Sequence, residues 1–150
     1  MVKIYGVTST TNADGSSGIN QGVILTGITQ GAGTTALTKN GNAIESALNS
    51  FIVTLNAAFA CQITIVASTD TSPKYSARWT MNALVHRYVA ESSVRLVGVS
   101  MVDAMSDVEL SALQVRLSEN TTYGSLSIQC TGIFQYTVIN WIATIVLTEV

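Results

Sequence analysis

Charge is what this sequence has least of. Seven lysines and arginines and nine aspartates and glutamates make up 11% of its 150 residues, where a soluble domain usually carries about 25%. The net charge of -2 and the scattered basic residues exclude the basic stripe that a nucleic-acid surface requires. Proline occurs once, at Pro73, and histidine once, at His86. The two cysteines, Cys61 and Cys130, lack the CxxC or Cys/His spacing of a zinc site. Both sit in strand-like runs, where a free buried thiol is the ordinary reading, and a disulfide between them would need facing geometry. No charge falls between Glu45 and Asp70 or between Glu119 and Glu149. Polar residues such as Asn49, Asn56, Gln62, Gln129 and Asn140 interrupt both intervals, so they read as sheet strands and no membrane partner is expected. The N-terminus has no apolar signal region.

Threonine, valine, serine and glycine fill the space that charge leaves, while the exposed helix formers Lys and Glu are few. That balance suits pleated, half-buried surfaces and indicates an all-β domain. Residues 8–18 are small and polar, too poor in apolar groups to fold alone. Residues 1–20 are expected to be an extended arm, either loose or ordered on a neighbouring subunit through Ile4, Tyr5 and Val7. Residues 21–150 are expected to form the sandwich. Val23-Ile24-Leu25-Thr26 and Thr35-Ala36-Leu37-Thr38 read as strands, and Asn40-Gly41 as a tight turn. Residues 42–50 have helical spacing at Ala43, Ile44, Ala47 and Leu48, yet lead into the strand-like run 50–55. Gln62-Ile63-Thr64-Ile65-Val66-Ala67 alternates cleanly. A long strand over 75–88 puts Trp79, Met81, Ala83 and Val85 on one face. Arg78, Thr80, Asn82 and His86 lie on the other, with Leu84 the exception. Residues 94–99 form another strand candidate. Ser106-x-x-Glu109 fits a helix capping box, but 100–111 reads better as a loop into the strand 112–117. Leu126, Ile128 and Cys130 point inward from the next strand. The last strand, 139–150, places Ile139, Trp141, Ala143, Ile145 and Leu147 on a core face. Seven or eight such strands make an antiparallel, jelly-roll-like β-sandwich with Trp79, Met81, Leu126, Ile128, Trp141 and Ile145 at its core.

Reactive chemistry is thinly supplied. His86 lies on an exposed face beside Arg87 and Tyr88, where a surface role is the ordinary one. A Ser-His-Asp set could draw on Asp70, Asp103 or Asp107, but no G-x-S-x-G elbow is present. Asp103, Asp107 and Glu109 supply carboxylates for a glycosidase pair or a calcium site, without the glycine-punctuated loop that calcium favours. Gly31-Ala32-Gly33-Thr34-Thr35 lacks the lysine and helix of a phosphate loop. Asn120-Thr121-Thr122 is a glycosylation sequon, relevant only in a secreted protein. No catalytic residue, metal or cofactor is expected, and function is expected to reside in surfaces.

Several motifs occur in a telling order: Phe59-Ala60-Cys61-Gln62-Ile63-Thr64-Ile65-Val66-Ala67, Ala77-Arg78-Trp79-Thr80-Met81-Asn82-Ala83-Leu84-Val85-His86-Arg87, Asn120-Thr121-Thr122-Tyr123-Gly124-Ser125-Leu126-Ser127-Ile128 and the closing strand from Ile139. In that order they resemble a β-sandwich domain found at the C-termini of tailed-bacteriophage tail-fibre and virion-surface proteins. The resemblance covers residues 21–150 and implies a phage structural protein, commonly trimeric, with no catalytic residues. The family carries arginines in its last strand where this chain has Asn140 and Val146. Thr144, Val146 and Thr148 therefore form an uncharged stripe opposite Trp141, expected to be covered by a partner. With about 20 residues ahead of the domain in this sequence, a fibre shaft is not expected.

The expectation is a capsid decoration (cement) protein on the outer capsid surface of the virion. It would trimerise and bridge subunits of the major capsid protein. The alternative is a tail-fibre tip or head fibre that binds a host receptor or glycan. An enzyme is the least favoured class.

Overall fold

The computed structural model describes residues 10–11, 17–18 and 21–149. The interface residues expected in the arm, Ile4, Tyr5 and Val7, lie outside them. A two-residue pairing joins β1 (Thr10–Thr11) to β2 (Ser17–Gly18). The rest is an antiparallel sandwich. Its strands are β3 (Gln21–Thr29), β4 (Thr34–Ala36), β5 (Phe51–Ile52), β6 (Ala57–Thr69), β7 (Ser76–Arg87), β8 (Arg95–Ser106), β9 (Gln114–Asn120), β10 (Ser125–Thr131) and β11 (Ile139–Glu149).

The larger sheet runs β3-β11-β6-β7-β8, with β6, β7 and β8 a consecutive meander. In the smaller sheet β10 pairs with β9 along one edge, and with both β4 and β5 along the other. Because β4 and β5 share an edge end to end, four strands span the width of three. One bridge, Thr26 to Thr38, closes the two sheets together on the β3 side. On the opposite side Arg95 of β8 meets Glu119 of β9 at 3.6 Å.

Alternation explains the core. In β6, β7 and β11 every second residue is buried, because successive side chains of a strand point to opposite faces. The structure places Met81, Leu126, Ile128, Trp141 and Ile145 at 2% exposure or less, and Trp79 at 9%. Trp79 and Trp141 stack with ring centroids 5.6 Å apart and planes at 24°. The indole N–H of Trp141 donates to Thr29 Oγ1 at 2.9 Å, so the buried donor is satisfied. Gly27 faces Trp141 across the ladder, and a Cβ there would lie 2.7 Å from Leu37. The glycine lets the β4 end of the smaller sheet close down beside the tryptophan.

Two stretches differ from the sequence reading. Residues 100–106, expected as loop, complete the twelve-residue strand β8, and only Val108–Leu110 makes a 3-10 turn. Two bulges in β8, at Val97 and Val102, shift the parity of its side chains, so its sequence lacks the unbroken alternation that marks a half-buried strand. Residues 42–50 form no helix. Asn40 Oδ1 accepts from the Asn42 N–H (3.1 Å), Asn42 Oδ1 from the Ile44 N–H (3.0 Å) and Asn49 Oδ1 from the Ser46 N–H (2.7 Å). These side chains take the donors that a helix would have used. Of the run 50–55, only Phe51–Ile52 joins the sheet.

Thr29→Val keeps the shape but strips the acceptor from the Trp141 indole. Leaving that donor buried and unpaired is expected to cost about 1–3 kcal/mol. Chemical denaturation of the two proteins measures it. A change within error would mean that the indole N–H finds another partner.

Candidate functional site

The residues singled out for chemistry do not converge. His86 is exposed on β7, facing Ala58 on one side and Arg95 on the other. Asp103 faces Thr80, six positions along β7 from His86, about 20 Å at the rise of a strand. There Asp103 pairs with Arg78 at 3.1 Å. Asp107 accepts the Ser76 N–H at 2.7 Å, and Asp70 follows β6 at the far end from Ala58. Among the described residues, no three of His, Cys, Asp and Glu gather where they could hold a metal. No helix among them is long and apolar enough to cross a membrane.

Two sequence signals prove to be turn chemistry. Asn120 of the sequon accepts from the N–H groups of Thr122 (3.0 Å) and Tyr123 (3.3 Å), and its amide donates to Glu45 at 2.8 Å. Gly31-Ala32-Gly33 is the turn between β3 and β4, with Gly31 at φ +55. Arg87 is a residue whose role the sequence did not announce. It is buried, with Nη1 donating to Val53 O at 3.1 Å, Nε to Ala90 O at 3.3 Å and Nη2 3.6 Å from Glu91. Gly124, at φ +66, lies against its guanidinium, 2.7 Å from where a Cβ would sit. The glycine therefore answers both a backbone and a space requirement.

What the fold presents are surfaces. The outward positions of β3, β11 and β6 carry no charged side chain among the described residues. Thr144, Val146 and Thr148 stand here, all exposed, with Val146 at 40%. Ile142 and Val66 pair across the strands beside them at 45% and 41%. The charges of this sheet lie toward its other side, at Arg78, His86, Arg95 and Asp103. A shallow groove of about 350 Å³ lies there, lined by Val66, Arg78, Met105 and Asp107 among others. At one end of the sandwich Tyr75 and Tyr136 approach to 6.1 Å, and Phe134, in the same loop as Tyr136, is 89% exposed. Desolvation first, and then Tyr75 and Glu109, raise the Tyr136 hydroxyl above the usual phenol pKa.

These features define a two-sheet sandwich whose larger sheet has an outer face that is uncharged over β3, β11 and β6. No family model matches the sequence, and no curated protein matches it significantly. Among solved structures it is similar to part of the tailspike protein of Acinetobacter baumannii phage AM24, with a TM-score of 0.45 and 6% identity over 85% of this chain. It is also similar to part of the tailspike protein of Acinetobacter phage vB_ApiP_P1, with a TM-score of 0.39 and 11% identity over the whole chain. The chain spans 26% and 24% of the lengths of those proteins.

Cys61 and Cys130 are buried free thiols on the inner faces of the two sheets. Burial pushes the Cys61 thiol from 9.0 up to about 11 and the Cys130 thiol further. The unfolded chain ionises its thiols first as pH rises. The folded state's advantage is therefore complete below pH 9 and is lost as pH climbs through the folded values. Unfolding free energy is expected to fall above pH 9, with a shallower slope in Cys130→Ala; equal slopes would remove the thiol from the account.

Proposed function

We propose that this chain is a structural protein of a bacteriophage particle, a capsid decoration (cement) protein. It assembles as a homotrimer on the outer capsid surface and bridges neighbouring capsomers of the major capsid protein. The observation that carries this reading is the uncharged outer face of β3, β11 and β6. A surface meant for water alone carries mixed charge, while contiguous apolar patches mark interaction sites. Here Ile142, Val66 and Val146 lie among threonines with no charge between them. The order of sequence motifs shared with phage fibre and virion-surface domains supports the phage setting, and trimeric assembly is what that resemblance implies. The protein then works by burying surface and has no catalytic role.

A second reading has its own support. Exposed Phe134 and the Tyr75–Tyr136 pair gather aromatic rings at one end of the sandwich, and aromatic faces suit stacking on sugar rings. A tail-fibre tip or head fibre that binds a host receptor or glycan would use that end rather than the sheet face.

Copy number and position in intact particles separate the two. Hundreds of copies spread over the capsid support decoration, and a few at a tail or vertex support receptor binding. Val146→Arg adds a charge to an exposed strand position, where folding stability is expected to change by no more than about 0.5 kcal/mol. Attachment to capsids lacking the native protein is expected to be lost. Undiminished attachment would remove this face from the interface, and a Phe134→Ala variant that alone lost host binding would favour the receptor reading.

A further inference from the structure

The larger sheet spans five strands, but the smaller one covers the width of three. The excess falls on β8. Val99 and Met101 pair with Ala83 and Met81, whose side chains are buried in the core, so they occupy the same inner face. Yet they are 45% and 52% exposed, because β9 reaches β8 only near its start. Val97 and Val102, inserted at the two bulges against β7, are 56% and 59% exposed.

β8 is also the last strand of its sheet, and its outer edge pairs with no strand among the described residues. The Leu96 N–H is taken by Glu119 Oε2 at 2.8 Å, and the edge beyond it is open. Edge strands in soluble proteins are usually guarded by brevity, charge, proline, β-bulges or a covering segment. β8 is twelve residues long, has no lysine or proline, and bears charge only at Arg95 and Asp103. It has two bulges, but these place exposed valines, Val97 and Val102, where a guard would place charge.

We infer that β8 is a self-pairing edge, which joins two copies of this chain antiparallel about a two-fold axis at Val99. The sequence of the strand is complementary to itself in that register. Val99 meets Val99 of the second copy, Gly98 meets Ser100, Val97 meets Met101 and Arg95 meets Asp103. The faces agree as well. Arg95 and Asp103 both lie on the outer side, opposite His86 and Thr80, and Gly98 and Ser100 do likewise, opposite Leu84 and Asn82. At each end the charges then alternate in sign: Glu119 and Arg95 of one copy, followed by Asp103 and Arg78 of the other. Within each chain the Glu119–Arg95 and Asp103–Arg78 pairs are already formed, at 3.6 and 3.1 Å. The contact would bury the exposed valines and Met101 and would satisfy backbone groups that water now serves. It is isologous, each copy offering the same patch. It therefore joins copies in twos, whether single chains or members of neighbouring trimers, and does not depend on where the protein sits in a particle.

Disulfide trapping tests this directly. Residues directly opposite in an antiparallel ladder have Cα atoms about 4.5 or 5.5 Å apart, inside the about 4.4–6.8 Å range of a disulfide. The native thiols are buried, so Val99→Cys under mild oxidation is expected to convert most of the protein into a covalent dimer. Leu48→Cys, more exposed at 92% but on a loop outside β8, should remain largely uncrosslinked. Val99→Lys sets two like charges against each other at the axis and is expected to weaken self-association at least about tenfold by light scattering, with unchanged circular dichroism. The inference is overturned if Val99→Cys crosslinks no faster than Leu48→Cys. It is equally overturned if the outward amides of β8, those not bonded to β7, resist hydrogen exchange in a protein that stays monomeric, which would place another segment of the same chain on this edge. An intact trimer with no crosslinking at Val99 sinks the β8 contact and leaves the decoration reading standing.

Discussion

The unequal width of the two sheets is the constraint on which the rest of this structure turns. The smaller sheet can cover β11, β6 and β7 because each of those strands offers a buried and mainly apolar inner row, and the two tryptophans thicken that row where they stack. Trp141 is held by Thr29 on the β3 side, so closure is tightest there, where Gly27 lets Leu37 approach. On the β8 side the smaller sheet ends at β9, with only the Arg95–Glu119 pair and the Leu96 N–H bond reaching across. The sandwich is thus closed along one side and open along the other.

Scarcity of charge has two different expressions in this fold. In the core it means that few charged groups need partners, and the buried exception is Arg87. Its guanidinium is satisfied by two carbonyls and a carboxylate, and it fastens the end of β7 to the segment before β6 while packing against Gly124 in the turn before β10. A buried cation held this way fixes position more than it adds stability. On the outer face the scarcity is positional. The outward side chains of β3, β11 and β6 are uncharged among the described residues, while the sheet's Arg78, His86, Arg95 and Asp103 collect toward β7 and β8.

Much of this was readable in the residues and some of it was not. The alternation of β6, β7 and β11 marks an inner and an outer row, because their outward positions hold polar or isolated apolar side chains. β8 escaped the same logic for a physical reason. The bulges at Val97 and Val102 each insert a residue, so the period of two breaks twice within twelve residues, and a pattern without a steady period reads as a loop. Residues 42–50 stay open between helix and loop in the sequence, since spacing allows a helix and only the fold shows Asn40, Asn42 and Asn49 capturing the backbone donors. Arg87 sits in a strand pattern at an inward position, and that parity was the available signal. Its partners Val53 and Gly124 are distant in sequence and are brought to it only by the fold.

The two exposed surfaces of the larger sheet differ in the kind of contact that they can make. The face over β11 and β6 has its backbone paired on both sides, so a partner meets side chains there, and threonines among isolated aliphatics accept many complementary shapes. The β8 edge offers backbone groups in a fixed register, so a partner must itself be a strand of matching length and parity. Shape tolerance suits a broad foreign surface, while register suits a strand of the same sequence, whose charges fall opposite one another by symmetry. A domain with one surface of each type can hold a scaffold through the first and a neighbouring copy through the second. Because they lie on opposite sides of one sheet, neither contact obstructs the other.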